Sequence, residues 1–466
     1  MTPRRGLLPV AVLSLGGCIY FNSLYNAQRV FQEAEGHRWA GREAEARALY
    51  DSVVIKAARS YRKEPTGPWA DDALYVLGRA YVRRGDWKEA REALELAAEL
   101  TDDEAIRYGA LLYLGVVAGT TGAPARGIEL LNEAIRGLPD EEIRGEGHLW
   151  RARLLLAAGR VDEGWWNLDR AAEAHSRYAV PAHLEGLLWG IVRNEPSRAR
   201  GGVDRLLSRG EGHARSDTLL ALIGVARSAW GPAPAAALLE RGEQAPWPRE
   251  ERDRVLNLRS ALYLEAGDTA RAVAGAQRVA GGAGPEAARA RRFLARLHLA
   301  SVWDVRELDG VRAILLPGVG DAAVLELLVA VRMVELLASR AREGDAGPSL
   351  FAAAEMARDA LEARQLARRL FLQYADDAEA PWRGKALLAA LALTDEEADR
   401  TSLRLRLWDL PDDPYVATAR GEAGAGEAFQ RLEGDLALAL DALLSEVSRE
   451  AAELDILVRE RSDTVG

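Results

Sequence analysis

Leu74-Tyr75-Val76-Leu77-Gly78-Arg79-Ala80-Tyr81, followed by Gly85-Asp86-Trp87 and then by Ala90, Leu94 and Ala97, is the stretch that decides the fold. Apolar residues recur at spacings of three and four on both sides of Gly85, the pattern of two amphipathic helices joined by a short turn. Counted from Gly78, the positions Tyr81, Gly85, Ala90, Leu94 and Ala97 stand at offsets 3, 7, 12, 16 and 19. The same offsets return at Gly115, Ala118, Gly122, Gly127, Leu131 and Ala134, and again at Ala152, Leu155, Gly159, Gly164, Leu168 and Ala171. Small residues at these places let two antiparallel helices approach closely, while Tyr81 and Trp87 fill the space between one pair and the next.

Weaker copies run through Ala34, Gly41, Ala46 and Tyr50, through Gly224, Gly231 and Ala236, and through Ser260, Tyr263, Gly267 and Ala272. The turn glycines Gly85, Gly122, Gly159, Gly231 and Gly267 are separated by 37, 37, 72 and 36 residues. The gap of 72 predicts one degenerate repeat around Pro181 to Glu211, and a second degenerate unit is expected over residues 287 to 320. Offsets and period together resemble the tetratricopeptide repeat (TPR). The resemblance implies an all-α fold, a right-handed solenoid of helical hairpins. It would hold about eight pairs, two of them degenerate, over residues 18–320, with the first helix of each pair lining a concave groove.

Further helical repeats are expected over 321–420, with helices at 321 to 342, 349 to 374 and 381 to 393, and a break at Gly344-Asp345-Ala346-Gly347-Pro348. Residues 421–466 read as a Gly-rich joint and a long helix. Phe429, Leu432, Leu436, Leu440, Leu443, Val447, Ala451, Leu454 and Val458 form one apolar stripe. A helix that caps the solenoid and a helix that binds a partner both fit this stripe; its drift at 3.6 residues per turn favours the cap.

At the other end, Met1-Thr2-Pro3-Arg4-Arg5 is a short positive start, and an apolar run of ten residues from Gly6 to Leu15 ends in Gly16-Gly17 before Cys18. That order predicts a signal peptide over 1–17, too short at about 15 Å to span the ~30 Å hydrocarbon core. Leu15-Gly16-Gly17-Cys18 resembles the bacterial lipobox. The resemblance implies cleavage before Cys18, the sole cysteine, and acylation of that residue. Ile19 rather than aspartate follows, which in that family leans towards the outer membrane, with the protein facing the periplasm.

The chain has 466 residues, 48% hydrophobic and 28% charged, with 61 Lys+Arg against 71 Asp+Glu and a net charge of -10. This composition excludes a disordered chain and disfavours nucleic acid as a partner. No catalytic or cofactor signature is found. Gly384-Lys385-Ala386 lacks the earlier glycine and the hydroxyl of a phosphate loop, and Gly318 and Gly320 read as a turn. His37, His148, His175, His183, His213 and His298 lack metal-ligand spacing, and acid pairs such as Asp71-Asp72 and Asp102-Asp103 do not converge on a helix. Neither enzyme activity, nor metal, nor cofactor is expected. Of the 12 tryptophans, Trp39, Trp87, Trp150, Trp189 and Trp303 are expected in the core, while Trp69, Trp165, Trp166, Trp247 and Trp382 lie near turns as candidate platforms for sugars or peptides.

In the TPR family, offsets −6, −3, +1, +4 and +5 from the small crossing residue face the groove. The resemblance assigns Asp72, Tyr75, Arg79, Val82 and Arg83 from Gly78, Arg153 from Ala152, and Arg254 and Asn257 from Ser260. Arg79, Arg83 and Arg153 then make either a basic strip for a partner's carboxylates or the partners of acids nearby; the family's Lys and Asn carboxylate clamp is not reproduced. Glu64-Pro65-Thr66-Gly67-Pro68-Trp69-Ala70-Asp71-Asp72-Ala73-Leu74-Tyr75, and Ala380 to Leu387 after it, resemble repeat entrances in the TPR lipoprotein of the outer-membrane β-barrel assembly machinery. The resemblance implies a membrane-anchored periplasmic scaffold for protein or peptide partners of an envelope assembly or export system. A glycan- or nutrient-binding TPR-like lipoprotein is the alternative.

Overall fold

In a computed structural model, described over residues 9–209, 216–343, 346–422 and 426–463, every regular element among the described residues is a helix. Side chains are described from residue 23 to residue 451 within these ranges. The chain forms two compact units, Met1–Glu251 and Arg252–Gly466.

The first unit contains α1 (Pro9–Trp39), α2 (Glu43–Lys63), α3 (Ala70–Arg84), α4 (Trp87–Leu100), α5 (Glu104–Thr120) and α6 (Pro124–Gly137). It continues with α7 (Glu141–Ala157), α8 (Val161–Ala174), α9 (Ser176–Val192), α10 (Pro196–Leu207), α11 (Ser216–Trp230) and α12 (Pro232–Leu238). Each odd-numbered helix packs on the even-numbered one that follows, and α1, α3, α5, α7 and α9 also touch in sequence. This is the hairpin stack of a TPR-type solenoid.

The crossing residues explain the spacing. A Cβ on Gly78 would stand 2.5 Å from Leu94 Cγ, and one on Gly115 would stand 2.8 Å from Leu131 Cγ and 3.1 Å from the Gly127 carbonyl oxygen. At Gly115 offsets 0, 12 and 16 are therefore one contact, and at Gly78 and Gly115 it is made at a separation that leaves no room for a Cβ. Tyr81 and Trp87 are half-buried against the same core.

The turns follow as expected. Gly85 has φ 85° and Gly122 φ 95°, a left-handed conformation that ends the first helix of a pair. Between Gly159 and Gly231 the turn is made by Asn194, φ 58°, joining α9 to α10. Asparagine tolerates the left-handed region better than other side-chain-bearing residues. The degenerate repeat thus keeps its place in the period with a different turn residue.

The second unit holds α13 (Arg249–Glu265), whose first turn belongs to the first unit, α14 (Thr269–Ala280), α15 (Pro285–Ser301), α16 (Leu308–Leu315), α17 (Ala322–Glu343) and α18 (Ala346–Asp359). After them come α19 (Arg364–Ala375), α20 (Arg383–Ala392), α21 (Glu397–Trp408), α22 (Pro414–Ala419) and α23 (Gly426–Asp463). The helix expected over 349 to 374 is two helices. Asp359 ends α18, and Glu362 turns the chain with φ 55° into α19. No glycine or proline marks that turn; packing of Phe351 against Phe371 and Tyr374, at ring separations of 5.5 and 5.1 Å, folds α19 back on α18.

Leu436, Leu443, Val447 and Ala451 of α23 are buried against the second unit's core. Arg340 of α17 holds Glu450 at 2.8 Å, Lys385 of α20 holds Glu433 at 2.7 Å, and Tyr415 of α22 meets Phe429 edge to face. Over residues 429–451 the stripe faces α17, α18 and α22. The side chains of Leu454 and Val458 lie outside the described residues, as do residues 1–8 and the Cys18 side chain. No helix among the described residues is long and apolar enough to cross a membrane.

Candidate functional site

The first helices α1, α3, α5, α7 and α9 touch in sequence, and Tyr75, Arg79 and Arg83 of the groove positions lie in the cluster they form. Arg83 of α3 lies between two carboxylates. Its Nε donates to Glu35 Oε1 of α1 at 2.8 Å, while Nη1 and Nη2 donate to Glu146 Oε1 and Oε2 of α7 at 2.7 and 2.9 Å. Its side chain is 7% exposed, and those of Glu146 and Glu35 are 6% and 13%.

Further donors complete the network. Arg38 Nη2 reaches Glu35 Oε2 at 2.7 Å, and the Tyr50 hydroxyl donates to Glu35 Oε1. Tyr113 of α5 and Tyr178 of α9 donate to Glu146 Oε2 at 2.9 and 3.1 Å. Burial pushes the Glu146 carboxyl up, but the adjacent Arg83 cation and its hydrogen bonds outweigh this and hold it at about 2. Glu35 is likewise held well below the usual range, burial being outweighed by Arg83 and Arg38. Burial raises the tyrosine hydroxyls, which stay protonated and able to donate. Trp39 closes the arrangement by meeting Tyr178 edge to face at 5.3 Å.

Tyr75, Arg79 and Arg83 are brought together as the offsets require. The Arg79 guanidinium stands over Phe31 at 4.3 Å and over Tyr75 and Tyr113 at 5.4 Å each, and the buried Tyr75 hydroxyl has no hydrogen-bond partner. Arg153 is separate from this cluster in its bonding, pairing with Glu185 at 2.7 Å and stacking on Trp150. Of the two readings of the basic strip, the geometry carries the second: Arg83 and Arg153 are matched by acids of the same unit, so they do not present open cations. Asp72 lies half-buried towards the start of α3, where burial and then Asp71 and Asp103 push its carboxyl up to about 6. Arg254 and Asn257 belong to the second unit, where Asn257 donates to Glu286 Oε2 at 2.7 Å.

The same offsets encode the acidic half of this network. Applied to Ala34, the family offsets −3, +1, +4 and +5 select Phe31, Glu35, Arg38 and Trp39, and offset −6 from Ala152 selects Glu146. Among the tryptophans, Trp165, Trp247 and Trp382 are buried rather than displayed: Trp165 belongs to a core with Leu168 and Ala182, the Trp247 indole donates to the Arg209 carbonyl at 2.6 Å, and Trp382 packs on Phe351 and Tyr374; Trp303, expected in the core, is 42% exposed. No group of three or more potential metal-binding side chains occurs among the described residues.

Residues 71–104 match the tetratricopeptide repeat family model. The match covers the hairpin of α3 and α4, which contains Gly78 and Gly85. No curated protein is significantly similar in sequence. Among solved structures, a tetratricopeptide repeat protein from Parabacteroides merdae ATCC 43184 is 16% identical over 54% of this chain and 91% of its own, with a TM-score of 0.29. BtubC (BKLC) from P. vanneervenii is 16% identical over 51% and 92%, with a TM-score of 0.30. A chain of Naa15/Naa10 bound to HypK-THB is 14% identical over 94% and 78%, with a TM-score of 0.21. Repeats of the tetratricopeptide type generally mediate protein–protein interactions.

Proposed function

We propose that this chain is a lipid-anchored scaffold of a bacterial envelope, held at the membrane through Cys18 and presenting its helical hairpins to protein partners of an assembly or export system. The observation that carries the reading is the continuity of α1. Past the proposed cleavage point the helix runs from Cys18 to Trp39, and Leu24 is its first buried side chain among those described. Six residues of helix are about 9 Å, so an acyl group on Cys18 sets the solenoid against the bilayer surface without a linker. The far end of α1 is fastened by Glu35 and Arg38, which makes the anchor and the hairpin stack one mechanical piece. Outer-membrane placement facing the periplasm rests on the lipobox and Ile19, and the repeat entrance at Glu64 to Tyr75 supports a role of the barrel-assembly kind.

Mass spectrometry of native protein is expected to find a mature, lipid-modified terminus at Cys18, and Cys18→Ser is expected to move the chain from the membrane fraction to the soluble one. A mature terminus elsewhere, or membrane retention of the variant, overturns the anchor. Crosslinking in intact cells is expected to trap envelope proteins. The exposed indoles of Trp69, Trp166 and Trp408 favour the glycan-binding alternative, which prevails if glycans are captured in place of proteins.

A further inference from the structure

Within the second unit, the loop from α14 into α15 and the turn from α16 into α17 border a cavity of about 380 Å³, with Arg291 of α15 in its wall. Arg291 is only 6% exposed, and its guanidinium makes one hydrogen bond, from Nη2 to the Gly282 carbonyl at 2.6 Å. Its other N–H groups have neither a carboxylate nor another acceptor among the described residues. Burial pulls the group below its ordinary value of 12.5, and no neighbouring charge offsets this. Arg83, equally buried, holds two carboxylates. The one acid in the cavity wall, Asp321, does not pair with Arg291; its Oδ1 accepts the N–H groups of Ala323 and Val324 at 3.1 Å each and caps α17. Much of the remaining wall is glycine. A Cβ added to Gly284 or Gly320 would meet nothing within 4 Å, and one on Gly318 would stand 3.4 Å from Arg291 Nη1. α15 starts at this wall with Gly284 and Pro285 and no capping side chain, so the partial positive charge of its first turn adds to that of Arg291.

We infer that this cavity binds a phosphate-type oxyanion, free or as the end group of a small monoester, with Arg291 as its counter-charge. The inference goes beyond the scaffold reading and does not depend on it. A guanidinium taken out of water keeps its charge, and burying it without an anion is costly. No side chain among the described residues supplies that anion, and the guanidinium fork matches two oxygens of a phosphoryl group. Glycine walls let such a group approach the main chain, which a side chain would prevent. The lining residues include no aromatic ring on which a base or a sugar could stack, so the ligand is a small one.

The test uses the full chain, with inorganic phosphate and glycerol 3-phosphate as probes and acetate as the control, titrated by calorimetry at constant ionic strength. Saturable binding of at least one phosphate probe is expected, weakened about tenfold or more in Arg291→Met and less in Arg291→Lys, which keeps the charge but not the fork. The tighter of the two probes tells the free ion from the monoester. Thermal melts separate a ligand-binding arginine from a structural one. Millimolar phosphate is expected to raise the melting transition of the second unit in the parent and not in Arg291→Met, with the transition of the first unit as the control for the general effect of the salt. Absence of saturation with both probes, acetate bound as tightly as phosphate, or equal binding by the parent and R291M overturns the site. So does a fall in the melting temperature of R291M that is the same with and without phosphate. If R291M does not fold, the titrations of the parent and of R291K decide.

Discussion

Arg83 shows how much one side chain decides. Its guanidinium joins α1, α3 and α7, and the two carboxylates it holds are almost without water. Removing one member of a buried ionic group strands the others, so Arg83→Leu is expected to cost roughly 3–5 kcal/mol in denaturant unfolding. The triple variant E35Q/R83M/E146Q is expected to recover much of that loss, because the most deeply buried charges go together and Arg38, which loses Glu35, is a quarter exposed to water. The pH dependence has a definite sign. Glu146 titrates at about 2 in the folded chain, against an ordinary value of 4.5, and Glu35 is also depressed. The stabilisation is therefore full above 4.5 and is lost as pH falls from there towards 2. Thermal melts across that window check it, and Arg83→Leu is expected to flatten the dependence. Asp72 behaves oppositely: with its carboxyl raised to about 6, the stabilising protonated form is lost as pH rises through 6. Asp72→Asn is accordingly expected to raise the melting temperature at pH 7.5 and to change little at pH 4.

Helical hairpins depend on how closely their two helices approach. The 2.5 Å between a Cβ placed on Gly78 and Leu94 leaves no room for any larger residue. Gly78→Leu is expected to cost on the order of 1–3 kcal/mol by prising α3 from α4, measured by chemical denaturation. The turn of the degenerate repeat offers the complementary case. Asn194 holds φ 58°, so Asn194→Gly is expected to be nearly neutral and Asn194→Val to cost about 1–2 kcal/mol. Equal tolerance of glycine and valine there would mean that α9 and α10 are joined in another way. These elements also mark what a sequence pattern can carry. The turn at Gly85 is legible because glycine is conspicuous, whereas the turn at Glu362 carries no such mark and the pattern reads through it as one helix.

For the whole chain, burial is partitioned. The core that runs from Ala27 to Leu138 draws all its members from the first unit, and the one that runs from Ala288 to Ala451 draws all of its members from the second. Solenoid stability is a sum of local and nearest-neighbour terms, so calorimetry is expected to resolve more than one unfolding transition. Arg83→Leu is expected to lower the transition of the first unit and leave the other in place. A single transition shifted as a whole by this variant would mean that the two cores unfold together.

The repeat register was determined by the sequence itself, for a physical reason: crossing contacts and turns are local, so Gly78, Leu94 and Gly85 specify a hairpin within 17 residues. The same locality makes the first helices identifiable and places Tyr75, Arg79 and Arg83 on one face. What that face does depends on residues far apart in sequence. Glu35 and Glu146 reach Arg83 from 48 and 63 residues away, and only the stacking of α1, α3, α5 and α7 brings them within hydrogen-bond distance. Offsets give each side chain a direction but not a neighbour, so charge matching across the groove was decided by tertiary structure.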